Sequence, residues 1–199
     1  MALSKFFQKE VPEAGCDEAG RGCLAGPVYA AAVILHPNKR IKGLDDSKKL
    51  SDAARKEIRV EIEEKSLAWA VASIDNHEID KINILKASFY AMHKALDALL
   101  VQPELLLIDG NRFIPYKNIS HRCEIKGDGR FQAIAAASIL AKTYRDDYMD
   151  AQHVTYPQYG WDRNKGYPTI AHRKAIKEFG TTPLHRMSFR LLDEQLALF

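Results

Sequence analysis

The chain has 199 residues, 46% of them hydrophobic and 28% charged, with a formal net charge of +3 and a pI of about 8.7. This composition fits one globular domain with a sizeable core, and the mild positive charge permits a nucleic-acid partner without requiring one. No apolar run approaches the roughly 20 residues of a membrane span, no secretory leader opens the chain, and an odd number of cysteines without CxxC spacing argues against a disulfide framework or a zinc site. We therefore expect a cytoplasmic protein without a membrane partner.

Apolar runs and helical spacings divide the chain into strands and helices. Short continuous apolar runs predict buried strands, and apolar residues three or four positions apart predict helices. In chain order the predicted elements are a strand end at 15–22, a strand at 28–35, a helix from Ser51 to about 65, a strand at 67–74, a helix at 84–100, strands at 105–108 and 123–125, and helices at 131–147, 169–179 and 188–196. This order predicts an α/β chain with a mixed sheet covered by helices.

Residues 15–22, Gly-Cys-Asp-Glu-Ala-Gly-Arg-Gly, hold two adjacent acids. Asp17 and Glu18 repel each other and would lose water on burial, so a folded interior keeps them only for a reason such as a divalent cation. The glycines permit close backbone approach, and Arg21 is shaped to hold an oxyanion with two hydrogen bonds. Because successive residues of a flat strand point to opposite faces, the two acids can share a site only at a bend, a bulge or a strand end.

Two further acids follow predicted strands. Asp109 ends the strand at 105–108 and precedes a glycine, and Asp128 lies in a Gly-Asp-Gly turn before a helix. Each acid also has an ordinary explanation, namely a turn-forming Asp-Gly for Asp109, a helix N-cap for Asp128 and a solvated strand end for the pair at 17 and 18. These explanations are weaker jointly, because one sheet could bring the three strand ends together. Four carboxylates around one point suit two divalent ions roughly 3.5–4 Å apart and phosphodiester hydrolysis, which needs no activated serine, cysteine or histidine.

Seven blocks of sequence carry a family resemblance. They are residues 15–28 (GCDEAGRGCLAGPV), 46–50 (DSKKL), 108–110 (IDG), 126–128 (KGD), 135–142 (AAASILAK), 164–169 (NKGYPT) and His185. In these blocks the chain resembles the type 2 ribonucleases H, and within them ribonuclease HII. The blocks cover nearly the whole chain in order, so the resemblance is specific.

The resemblance implies the ribonuclease H-like fold, a mixed five-stranded sheet flanked by helices with a helical C-terminal segment. It implies one catalytic domain over residues 1–199, in which about 155–199 form a substrate-binding segment, and we expect a monomer. It also implies two Mn²⁺ or Mg²⁺ ions. The acids implied as metal ligands and catalytic groups are Asp17, Glu18, Asp109 and Asp128.

The implied substrates are RNA–DNA hybrids and single ribonucleotides embedded in duplex DNA, cut on the 5′ side to leave 5′-phosphate and 3′-hydroxyl ends. Gly20, Arg21 and Gly22 would recognise the ribonucleotide, because backbone groups can read a 2′-hydroxyl. Tyr167 would pack against the deoxyribose after the junction. The resemblance also supports Ser47 and Lys48 as phosphate contacts.

Several alternatives stay open or are disfavoured. A nucleotide-binding loop is disfavoured because a strand follows the glycines and the adjacent acids would repel a pyrophosphate. A catalytically silent hybrid-binding module and another two-metal nuclease, such as a junction resolvase or ribonuclease HIII, remain rivals. His185 is either a structural histidine or a substrate contact. The apolar tail at 195–199 is either a helix end that packs on the core or a sliding-clamp contact.

Overall fold

A computed structural model describes residues 3–44 and 50–192 of the chain. In these residues five strands form one sheet, in the order β3-β2-β1-β4-β5. Strand β1 pairs parallel to β4, β4 pairs parallel to β5, and the pairs β1–β2 and β2–β3 are antiparallel. The strands are β1 (Glu13–Ala19), β2 (Val28–Ile34), β3 (Ala68–Ile74), β4 (Leu105–Asp109) and β5 (Ser120–Glu124). The predicted mixed five-stranded sheet is confirmed.

Helices cover both faces of the sheet. The described helices are α1 (Asp52–Lys65), α2 (Asn76–Ile82), α3 (Ile84–Asp97), α4 (Gln132–Thr155), α5 (Trp161–Asn164) and α6 (Ile170–Phe179). Alternate residues of β2 face opposite layers, so that Ala30 and Ala32 pack towards α3 while Ala31 and Val33 pack towards α1 and α4. Within the described ranges, no helix is long and apolar enough to cross a membrane.

Small residues bring α4 unusually close to the central strand. A Cβ atom at Gly15 would overlap the backbone of Ala133 and Ile134, in the first turn of α4. The side chains that α4 turns towards the sheet include Ala133, Ala136 and Ala137, all of which are buried. This close packing holds the helix directly against the strand that carries the two adjacent acids.

Most predicted elements agree with the structure, but their bounds differ. The helix predicted at 131–147 continues to Thr155, because Met149 packs into a separate core with Trp161 and Leu24. The helix predicted at 84–100 ends at Asp97, and the edge strand β5 begins at Ser120 rather than at 123.

Two predictions about local structure were wrong. Helix α2 was missed, although Asp75 caps it by accepting a hydrogen bond from the Glu78 N–H at 2.8 Å. The helix predicted at 188–196 is absent over 188–192, and the rest lies outside the described residues. The Asp80 carboxylate accepts hydrogen bonds from the N–H groups of Met187 and Ser188, at 2.9 and 3.0 Å, and these bonds hold residues 187 and 188 in a turn.

Candidate active site

A cavity of about 250 Å³ opens at the carboxyl ends of β1 and β4. It contains seven of the ten residues that the sequence predicts for the site, and it adds Ala19, Ser138 and Lys142. The seven are Asp17, Glu18, Gly20, Arg21, Gly22, Asp109 and Tyr167. Of the other three, Asp128 does not line the cavity, and Ser47 and Lys48 lie outside the described residues.

Parallel pairing brings two of the acids together. The last paired residues of β1 and β4 are Cys16 and Ile108, so Asp17 and Asp109 are the next residues at the same edge of the sheet. The antiparallel ladder to β2 runs without interruption through Asp17 and Glu18, so no bulge is present. The two adjacent acids therefore share the cavity because they stand at a strand end.

Neighbouring groups hold each acid of the cavity. The Ser138 hydroxyl and the Glu18 N–H both bond the Asp17 carboxylate, the latter at 2.7 Å. Arg21 Nη1 donates to Glu18 Oε1 at 3.0 Å. The Gly127 N–H donates to Asp109 Oδ1 at 2.8 Å.

The cavity concentrates negative charge. Burial raises the pKa of Asp17 well above its ordinary value of 3.8, and repulsion from Glu18 and Asp109 raises it further. Burial also raises the pKa of Glu18, although its ion pair with Arg21 opposes that rise. Both pKa values are raised mainly by burial, and repulsion between the carboxylates adds to that rise.

Asp128 lies behind this cluster. It is buried in a single 3-10 turn, Gly127–Gly129, and its Oδ1 accepts the Gly129 N–H at 3.0 Å. Its neighbour Gly127 is the residue that bonds Asp109. The turn that holds Asp128 is therefore connected to the cavity through Gly127.

The donor chemistry of the cavity suits a hard divalent cation. Among the described residues, no group of three or more His, Cys, Asp or Glu side chains is arranged as a ready metal site. The oxygens of Asp17, Glu18 and Asp109 nevertheless face one cavity, and carboxylate oxygens are the ligands that Mg²⁺ and Mn²⁺ prefer. A cation there would also remove the repulsion that raises the pKa values of Asp17 and Glu18.

Two buried arginines fix the loop that follows β1. The Arg145 guanidinium donates to the carbonyl oxygens of Ala25 and Pro27, both at 3.0 Å. Arg186 donates to the carbonyl oxygens of Gly26 and Arg21, at 2.9 and 3.0 Å. Sequence reasoning missed this use of Arg186. Its position just before a turn gave no signal that the side chain is buried.

Tyr167 also lines the cavity. Its side chain is 39% exposed, and its hydroxyl bonds the buried thiol of Cys23. His185, whose role the sequence left open, is 1% exposed, which favours the structural histidine over the substrate contact.

Comparisons with known proteins agree with this geometry. The family model described as Ribonuclease HII matches residues 14–192. The chain is similar to a protein of Bacteroides thetaiotaomicron named Ribonuclease HII, with 60% identity over 197 residues that cover 98% of each chain.

Two solved structures share the fold. The PCNA:RNase HII complex of Archaeoglobus fulgidus aligns with a TM-score of 0.75 and 26% identity, over 94% of this chain and 100% of that one. A structure of Bst-RNase HIII in complex with Mn²⁺ aligns with a TM-score of 0.71 and 22% identity, over 94% of this chain and 70% of that one. The architecture is thus the ribonuclease H-like fold that the sequence predicts.

Proposed function

Because the chain belongs to the ribonuclease HII family, a group of type 2 ribonucleases H that cleave the RNA of RNA–DNA hybrids, we propose that it also cleaves single ribonucleotides embedded in duplex DNA. The cut would lie on the 5′ side of the ribonucleotide and would leave 5′-phosphate and 3′-hydroxyl ends. One observation supports this most strongly. The same cavity joins the buried Asp17 and two partly buried acids, Glu18 and Asp109, to a glycine-framed arginine and a partly exposed tyrosine.

The acids are assigned to metal binding. Enzymes of this family depend on divalent metals, and we assign Asp17, Glu18 and Asp109 as ligands for two Mn²⁺ or Mg²⁺ ions, with Asp128 as the fourth acid. Such ions, when bound, lower the pKa of a water nucleophile and balance charge on the leaving oxygen. The chain itself orients the carboxylates, through Ser138 on Asp17 and the Gly127 N–H on Asp109.

Recognition is assigned to the segment from Gly20 to Gly22 and to Tyr167, which line the same cavity. Backbone groups of Gly20 and Gly22 would read the ribose 2′-hydroxyl, which both donates and accepts hydrogen bonds. Arg21 is half-exposed, so its guanidinium can leave Glu18 for a substrate oxyanion. The ring of Tyr167 would pack against the next deoxyribose, where an additional hydroxyl would be crowded.

The remaining assignments concern the chain as a whole. Ser47 and Lys48 are assigned to phosphate contacts, and residues 1–199 to one catalytic domain that acts as a monomer, with about 155–199 contributing to substrate binding. The PCNA:RNase HII complex of Archaeoglobus fulgidus supports a second assignment, a sliding-clamp contact, for which residues 195–199 are the candidate segment.

A cleavage assay tests the proposed function. The substrate is a DNA duplex with one embedded ribonucleotide, run beside an all-DNA duplex, with Mn²⁺, with Mg²⁺ and with a chelator. We expect one cut, 5′ to the ribonucleotide, that requires metal and is absent from the all-DNA duplex. A product cut on the 3′ side, or equal cleavage of both duplexes, would refute the proposal.

Asp109→Asn tests the assigned acids in the same assay. This substitution keeps the shape of the side chain but removes its charge. Mutation of a residue that only hydrogen-bonds a metal ligand costs up to roughly 100-fold in activity, so the loss of rate in Asp109→Asn should be larger than that. The matched control is Asp97→Asn, at the exposed end of α3, which should cleave at the rate of the unmodified chain. Full activity of Asp109→Asn would exclude the assigned role.

A further inference from the structure

Two buried histidines lie directly behind Tyr167. His172, in α6, is 0% exposed, and His185, in the segment after α6, is 1% exposed. Their Nε2 atoms are 3.3 Å apart. Neither ring lines the cavity, and neither is used by the catalytic assignments above.

The hydrogen-bond partners fix the tautomer of both rings. The indole N–H of Trp161 can only donate, and it lies 3.0 Å from His172 Nε2, so that nitrogen is an acceptor. The proton of His172 is therefore on Nδ1, which lies 2.9 Å from the carbonyl oxygen of Tyr167. The Thr182 N–H donates to His185 Nδ1 at 2.8 Å, so the proton of His185 is on Nε2, which faces His172 Nε2 at 3.3 Å.

The environment keeps both rings neutral. Burial lowers the pKa of His172, and burial together with the nearby His172 lowers the pKa of His185 to about 4. A second proton on either ring would also place two donors against each other, at Trp161 or at the Thr182 N–H. At neutral pH each ring therefore carries its proton on one nitrogen, Nδ1 in His172 and Nε2 in His185.

The end of this chain of hydrogen bonds is the backbone of Tyr167. The loop that carries this residue turns through Lys165 and Gly166, with φ angles of +48° and +82°. The Tyr167 carbonyl accepts from His172 Nδ1 and from the Thr169 N–H, the latter at 2.8 Å. Because the Tyr167 ring is partly exposed, burial alone does not fix its direction, and these backbone contacts contribute to its orientation.

We propose that His172 is a positioning residue for the discrimination between ribonucleotide and deoxyribonucleotide, and that His185 and Trp161 act by fixing its tautomer. The inference rests on the proposed packing of Tyr167 against a deoxyribose. His172 touches no reacting group. Its hydrogen bond to the Tyr167 carbonyl sets the distance between the Tyr167 ring and the segment from Gly20 to Gly22. That distance suits a ribose followed by a deoxyribose.

Two amide variants separate the two nitrogens of His172. In His172→Asn the side-chain amide can occupy the place of Nδ1 and can still donate to Tyr167. In His172→Gln the amide reaches the place of Nε2, where its oxygen can accept from Trp161, and the bond to Tyr167 is lost. His172→Asn loses the contact at Nε2 and His172→Gln loses the contact at Nδ1, so each variant serves as the control for the other.

The readout is the ratio of kcat/KM on a single embedded ribonucleotide to kcat/KM on a continuous RNA–DNA hybrid. We expect this ratio to fall about tenfold in His172→Gln, the equivalent of one hydrogen bond, and to stay near that of the unmodified chain in His172→Asn. Equal ratios in both variants, or a fall in His172→Asn alone, would overturn the proposal. If the unmodified chain cleaves no embedded ribonucleotide, it is the proposed function that fails.

A measurement on the unmodified chain keeps the proposal falsifiable if both variants fail to fold. Two-bond ¹H–¹⁵N correlation spectra of the imidazole rings distinguish the two neutral tautomers. We expect His172 protonated at Nδ1 and His185 at Nε2, in the absence of substrate. A spectrum with His172 protonated at Nε2 would overturn the proposal, because that ring could not donate to Tyr167.

Discussion

At the scale of one residue, Asp17 shows how the site affects the free energy of unfolding. It is 5% exposed and faces two other acids, and its pKa is raised by burial and by their repulsion. A carboxyl group whose pKa is higher in the folded than in the unfolded chain favours folding at low pH. That contribution is lost as the pH rises above the unfolded value and through the folded one. At neutral pH, without metal, the charge of Asp17 therefore lowers the free energy of unfolding.

Asp17→Asn should stabilise the metal-free chain while it removes activity. The amide oxygen can still accept from the Glu18 N–H, but the repulsion is gone. We expect a gain of about 1 kcal/mol in the free energy of unfolding at pH 7, which raises Tm by about 2–4 °C. The gain should shrink towards pH 4, as the original carboxyl becomes protonated. Thermal unfolding followed by circular dichroism checks this, and a lower Tm at pH 7 would contradict it.

Arg21→Ala tests recognition separately from binding. Loss of this side chain should reduce discrimination for the embedded ribonucleotide more than affinity for a hybrid duplex, since Arg21 is assigned to one position of the substrate. Its loss also removes the ion pair that lowers the pKa of Glu18, so the acidic limb of the pH–rate profile should shift to higher pH. Kinetics on the two substrates and fluorescence anisotropy supply the measurements.

Arg112→Ala provides the comparison for this variant. Arg112 is exposed and does not line the cavity, so both the discrimination and the pH profile should stay unchanged. Equal losses on all substrates in Arg21→Ala, with an unshifted pH profile, would remove Arg21 from recognition.

At the scale of elements, the contact between β1 and α4 depends on a single glycine. Gly15→Ala would place a Cβ atom against the backbone of Ala133 and Ile134, where no side chain can rotate away. Overpacking of this kind should cost about 3 kcal/mol or more, which lowers Tm by roughly 6–12 °C. The control is Gly129→Ala, whose new Cβ would meet no atom within 4 Å. Similar Tm values for the two variants would show that α4 can shift.

The sequence predicts those elements whose stability is local. The apolar run of β2 and the Ser51 cap of α1 are strong local signals, and both elements stand where the sequence places them. Edge strand β5 is largely exposed, so no apolar run marks its start at Ser120. The turn at Met187 and Ser188 depends on Asp80, more than a hundred residues earlier, and such a contact cannot be found from local spacing.

The same distinction between local signals and contacts of distant residues applies to the site. Asp17 and Asp109 could be brought together by the rule that ligands gather beyond the carboxyl ends of parallel strands. The burial of Arg186 and the direction of His172 follow from tertiary hydrogen bonds, which leave no periodic trace in the sequence. The assigned metal roles of the acids stay a prediction until cleavage and metal binding are measured.

At the scale of the whole molecule, metal binding should be linked to folding. A cation that binds only the folded chain stabilises it by about 2.7 kcal/mol at a concentration 100 times its Kd, which raises Tm by roughly 5–10 °C. Because the raised pKa values of Asp17 and Glu18 make protons compete with the cation, the rise should be smaller at pH 5 than at pH 7.5. Calorimetry with and without Mn²⁺ checks this, and an equal rise in Asp109→Asn would place the ion elsewhere.

The contacts that hold the segment after β1 have a consequence for the newly made protein. Arg186 reaches the carbonyl oxygens of Gly26 and Arg21 across 160 and 165 positions of sequence. Ribosomes deliver the amino-terminal part first, so the carboxylates exist long before the side chain that braces the neighbouring segment. We therefore expect the segment assigned to recognition to reach its final conformation only after translation has passed position 186.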